Sequence, residues 1–337
     1  MENLLKIDRF LSDKIIWVTI LCVLLGIFFY APLSILVPIT PVLFAIMTFI
    51  NTLGCSFRQI GHVVTHPASV LVLLAMLHVV LPALCLGLCT LLFSDAPLFT
   101  TGLVLNFVLP TGVASLMWVT IGRGDLPLCL SAVLLDTLLA PLIVPLSMKL
   151  LVGSMVEMDA TGMMKDLLFM VALPAFLSLL CHRIRGGRTA AEWKPRLSPF
   201  AKLVMFCIIT SNATGVAPFL KAITPTLLLV ILVLVVLCVF AYLLGWFVSH
   251  RLMHLDFPAC ETMTINTGLR NISAGAVLAV QYFPADVLFP VAFAPIFTQI
   301  MLALSVKLLR RTKAGQADQA AYDAEHAASR NSKSEQA

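Results

Sequence analysis

Apolar runs of about twenty residues follow one another along most of the 337-residue chain, separated by short polar breaks. A helix of that length spans the roughly 30 Å hydrocarbon core of a bilayer. Hydrophobic residues make up 60% of the chain and charged residues only 12%, against about a quarter charged in a soluble domain. The mean hydropathy is +1.01. No soluble core could enclose this much apolar side chain, so lipid is the solvent. Inside lipid the backbone must satisfy its own hydrogen bonds, which leaves helices as the elements for runs of this length. The expectation is an all-α membrane protein.

About ten spans can be placed, near 15–31, 34–51, 68–92, 98–121, 126–152, 167–182, 198–217, 224–248, 257–282 and 287–309. The first run starts near Ile15 and a second follows at once, with no Ala-x-Ala-like cleavage site, so it reads as a true span. The basic residues test the count. Of 22 Lys and Arg, eighteen fall on one side, including Arg183, Arg185, Arg188, Lys194, Arg196 and all six from Lys307 onward. Only Lys149, Lys165 and Lys221 fall on the other side, and Arg270 lies inside a span. The positive-inside rule then makes the first side cytoplasmic, with both termini there, in the plasma or inner membrane of a cell. Residues 1–311 form the transmembrane domain; 312–337, rich in Ala, Gln, Ser, Asp and Glu, read as a disordered or loosely helical cytoplasmic tail. The net charge of +5 sits in loops and tail, which argues against a nucleic-acid partner. The nine cysteines have neither metal-ligand spacing nor a disulfide framework and read as small packing residues.

Ten spans divide into two halves of five, about 15–152 and 167–309. An odd number per half gives them opposite orientations, the inverted repeat of many carriers. The fourth span contains Pro110-Thr111-Gly112-Val113-Ala114-Ser115 and the ninth Asn266-Thr267-Gly268-Leu269-Arg270-Asn271. Both carry Thr-Gly-aliphatic at mid-span. Gly and Pro there interrupt the helical ladder, and paired interruptions in two halves point to a midplane binding site. A charge at mid-span costs about 2.5–3.5 kcal/mol on insertion scales, which makes Arg270 a functional-site candidate.

These residues carry a family resemblance. Pro110 to Ser115, the ten-residue interval from Ser115 to Asp125, and the helix reaching Thr137-Leu138-Leu139-Ala140-Pro141 resemble the bile acid:sodium symporter family, as does Thr262 to Asn271 in the ninth span. The family reads Pro-Gly-Gly-x-Ala-Ser-Asn and Thr-x-Ser-Ile-Glu-Val-Gly-Met-Gln-Asn in these places. The resemblance implies crossing helices broken at spans four and nine, with two sodium sites built from their oxygens. Carried over position by position, Ser115 and Asn271 are kept. The family's Asn is Leu116, its Ser and Thr ligands are Cys129 and Val133, its Glu is Asn266, its Gln is Arg270, and a Gln of the third span is His78. Most sodium oxygens are therefore gone, although Ser115, Asn266 and Asn271 could form a residual site. With Asn266 at the position of the family's Glu, Glu261 lies near the cytoplasmic mouth and reads as a solvated or entrance residue.

Asp136 lies on the helix face shared by Cys129 and Val133. The expectation is that Arg270 pairs with Asp136, directly or through water, so that a fixed cation takes the place of a mobile one. The function expected is secondary active transport of small organic anions across the bilayer. Thr111, Ser115, Asn266, Thr267 and Asn271 would supply neutral hydrogen bonds. The coupling ion is either Na⁺ or H⁺, with His78 and Asp136 the proton-carrier candidates. An uncoupled facilitator or a membrane ligand sensor of the same fold is the alternative. No cofactor is expected and no enzyme motif falls within the spans; substrate identity and oligomeric state are unreadable.

Overall fold

The computed structural model describes residues 14–318 and 320, apart from 54, 58–66, 113, 186–187, 189–191, 216, 218 and 220–223. His62, His66, His326 and most of the expected tail lie outside the described residues. The protein is an all-α membrane protein. In chain order the principal helices are α1 (Ile15–Phe28), α2 (Tyr30–Thr52), α3 (Pro67–Leu92), α4 (Pro97–Val108), α5 (Ser115–Ile121), α6 (Leu126–Val152), α7 (Ala160–Ile184), α8 (Lys194–Thr214), α9 (Pro225–Leu252), α10 (Phe257–Gly268), α11 (Ile272–Tyr282) and α12 (Ala285–Arg310). Seven of the described helices are long and apolar enough to cross a membrane: α2, α3, α6, α7, α8, α9 and α12. The other five are short, and four of these are the halves of interrupted spans, α4 with α5 and α10 with α11.

Local chemistry explains the boundaries. Asp125, Asp159, Thr224, Asp256 and Asn271 each accept a backbone N–H three residues on, capping α6, α7, α9, α10 and α11. Helix α4 stops because Pro110 follows Leu109, whose ψ of 147° is extended, as the residue before proline prefers. Helix α3 widens into a π turn at Met76–Val80, where the Leu81 N–H reaches back to the Met76 carbonyl. Pro82 has no N–H to give the His78 carbonyl, which accounts for the loosened ladder.

Two groups of helices emerge, joined by α7, which packs against α6 as well as against α2. Helices α1, α2, α7 and α8 pack on one another, α8 lying against both α1 and α2. Helices α3 to α6 pack with α9 to α12, with α9 against α10 and α4 against α12. The interrupted spans belong to the second group, and the largest apolar core runs through both.

Candidate functional site

The two breaks meet. Leu269 leaves α10 in an extended conformation (φ −97°, ψ 123°), and Thr111 pairs with Arg270 in an isolated antiparallel bridge. The Asn271 N–H donates to the Pro110 carbonyl at 2.8 Å and the Gly112 N–H to Leu269 at 3.3 Å. Backbone groups freed by each break are therefore met by the other break, away from water, as a membrane interior requires. A Cβ on Gly112 would stand 3.1 Å from the Arg270 carbonyl, and one on Gly268 only 2.2 Å from the Tyr242 ring. Glycine lets the two extended segments, and α9 with α10, approach this closely.

Thr111 is the hub. Its hydroxyl lies 3.1–3.2 Å from the Asn266 carbonyl, the Asn266 Oδ1 and the Leu269 carbonyl. Its backbone N–H donates to Asp136 Oδ2 at 2.7 Å. Asn266 Nδ2 donates to the Thr262 carbonyl at 2.9 Å, a contact that fixes which way the amide points, and to Cys129 Sγ at 3.3 Å. Ser115 Oγ lies 3.5 Å from Cys129 Sγ. Thr111, Ser115, Cys129, Asn266 and Asp136 are all buried, and the structure brings them together. Val133 belongs to the same buried apolar cluster as Cys129, Ile265 and Leu269.

Two expected members are placed elsewhere. The Thr267 hydroxyl donates to the Met263 carbonyl of its own helix, and its side chain lies against Gly245 of α9. The Asn271 side chain caps α11, accepting from the Ala274 N–H at 3.4 Å.

Of the two Arg270–Asp136 arrangements expected from the sequence, direct or through water, the direct contact is not what the structure holds. Asp136 Oδ1 is taken by His78 Nε2 at 2.6 Å, and Oδ2 by Thr111. Arg270 is only 4% exposed, yet its Nε, Nη1 and Nη2 reach no acceptor. It lies within electrostatic reach of Asp136, and of Cys238 and Tyr242 on α9. Each carboxylate oxygen is already engaged by one donor, one of them an amide that the backbone crossing fixes in place. The partnership of His78 with Asp136 has no sequence signal, because the residues are 58 positions apart.

Glu261 also departs from expectation. It is fully buried, not solvated, and Oε2 accepts from Arg310 Nη2 at 2.8 Å. Arg310 donates as well to Asp318 and sits over the Phe257 ring. The segment 313–318, where the expected tail begins, is helical and brings Gly315 against Phe257.

As a sodium site this cluster is poorly suited. Sodium is a hard cation that asks for several oxygens, as Ca²⁺ and Mg²⁺ do. Around Asn266 the side-chain oxygens are those of Thr111, Ser115 and Asn266 itself, while an amide N–H₂ and a thiol occupy the same space. At the other flank a guanidinium stands beside the crossing, where it would repel a cation. Among the described residues no group of three or more His, Cys, Asp and Glu could hold a metal ion.

Comparison with known proteins places these features in context. Residues 40–246 match the Sodium Bile acid symporter family. The chain is 38% identical over 271 residues to the uncharacterized protein YbaS of Bacillus subtilis, covering 80% of this chain and 88% of that protein. It is 26% identical over 232 residues to the probable sodium/metabolite cotransporter BASS2, chloroplastic, of Oryza sativa, covering 68% of this chain and 54% of that longer protein. It is 23% identical over 284 residues to the uncharacterized sodium-dependent transporter YocS of Bacillus subtilis, covering 84% and 86%.

Proposed function

The chain belongs to the sodium bile acid symporter family, and on that premise we propose that it carries small organic anions by alternating access without bound sodium. That family is one of membrane transporters, and the chain is a transporter and not an enzyme. The observation that carries the finer reading is Arg270: a guanidinium buried in a broken span, with no hydrogen-bond acceptor within reach. Its fixed charge supplies, beside the crossing, the positive charge that sodium would supply in a sodium-coupled carrier. Planar and always ionised, a guanidinium suits a carboxylate or sulfonate. Thr111, Ser115 and Asn266 line the crossing with neutral polar groups beside it.

In this reading the two halves of the chain are inverted repeats that place the broken spans at the bilayer midplane, with both termini cytoplasmic. The basic residues and the Thr-Gly segments at matching positions support it. The test is uptake into proteoliposomes of labelled carboxylates and sulfonates under imposed sodium or proton gradients. Accumulation that ignores the sodium gradient is expected. Accumulation only with inward sodium overturns the reading, and equilibration without accumulation makes the protein a facilitator.

A further inference from the structure

Resting on that reading, we propose that His78 takes up one proton with each anion bound, so that the chain carries a monoanion and a proton together with no net charge. The inference starts from the charges at the crossing. Arg270 is positive and Asp136 negative, and they lie within electrostatic reach of each other. His78 in its neutral form adds nothing, so the empty site is neutral. A monoanion beside Arg270 would leave one uncompensated negative charge in a medium where unpaired charge is costly. Protonating His78 restores neutrality.

The geometry identifies the atom that receives the proton. His78 Nε2 and Asp136 Oδ1 are 2.6 Å apart. Against an ionised carboxylate only Nε2 can supply the hydrogen, which leaves Nδ1 with the free lone pair. Nδ1 is buried and has no hydrogen-bond partner. A proton from water on the loading side adds there and gives an imidazolium already bonded to its counter-ion. It leaves from the same atom on the unloading side, so the protein is unchanged after each cycle. The π turn at Met76–Val80 carries His78 to this position, and the Thr111 N–H holds Asp136 Oδ2 from the crossing itself. A movement of the crossing on anion binding is thereby transmitted to the histidine's counter-ion.

The other titratable groups facing the site are accounted for. Cys238 and Tyr242 of α9 lie near Arg270, Cys129 of α6 is engaged with Asn266, and Glu261 of α10 is paired with Arg310.

The experiment uses the purified full-length chain in sodium-free buffer, with pyruvate and benzoate as probe monoanions of different bulk. Affinity read from thermal shifts is expected to rise as pH falls, with a limiting slope of about tenfold per unit, that of one linked proton. The slope should vanish in His78→Gln. Uptake of the same probes into proteoliposomes should follow a pH gradient and ignore a potassium diffusion potential. Binding of equal strength at every pH overturns the proton inference while leaving the anion reading intact. Uptake driven by the diffusion potential does the same. Absence of binding by either probe at any pH overturns both. If His78→Gln does not fold, the wild-type pH slope still decides.

Discussion

Asp136 is held by two donors of different kinds, and substitutions can separate them. Asp136→Ala strips a partner from His78 and from the Thr111 N–H at once. It is expected to cost about 3–5 kcal/mol of stability, because it also leaves the buried Arg270 charge without its nearby carboxylate. Asp136→Asn keeps an oxygen for the Thr111 amide and should cost about 1–3 kcal/mol less. Thermal unfolding in detergent ranks the two, and equal losses would mean that the Thr111 bond contributes nothing. Arg270 makes no hydrogen bond that could be lost, but its charge lies within electrostatic reach of Asp136. Arg270→Gln leaves that buried carboxylate without its nearby cation, so it should lower stability and abolish anion uptake. A variant that still transports would remove the guanidinium from its central role. The sequence made Arg270 and Asp136 legible as special because ionisable groups are rare at mid-span. It did not disclose their partners, since contacts between residues 58 apart are set by tertiary packing.

At the scale of the elements, the breaks in the fourth and ninth spans were readable because Pro110, Gly112 and Gly268 act locally. What the residues alone did not convey is that the two extended segments pair with each other. Gly268→Ala would drive a Cβ to 2.2 Å from the Tyr242 ring, whereas at Gly112 the nearest atom is 3.1 Å away. Gly268→Ala is therefore expected to cost about 1–3 kcal/mol by overpacking α9 against α10, and Gly112→Ala less; melting temperatures in one detergent compare them. The junction of α10 with α12 was misread from sequence, because Glu261 sits near a span end where solvation is the usual state. Its partner Arg310 is 49 residues away. Arg310→Met should cost about 3–5 kcal/mol by leaving a buried carboxylate unpaired. Arg310→Met combined with Glu261→Gln should recover most of that loss. A double variant no better than the single one would show that Glu261 draws its compensation elsewhere.

For the whole molecule, composition and hydropathy led directly to a helical membrane protein, since an apolar run in lipid has few other ways to satisfy its backbone. The family followed from motifs around the same two breaks. The packing of α8 against α1 and α2 was not legible, because lipid-facing and protein-facing apolar residues look alike in a sequence. Under the proposed function the Arg270 guanidinium stands in for dissolved sodium. Thermal unfolding of the purified chain across a sodium chloride titration, against choline chloride at equal ionic strength, tests it without knowledge of the substrate. A bound ion at about a hundred times its Kd would stabilise the folded protein by about 2.7 kcal/mol. The account predicts superimposable curves in the two salts; a saturable, sodium-specific rise in melting temperature would contradict it.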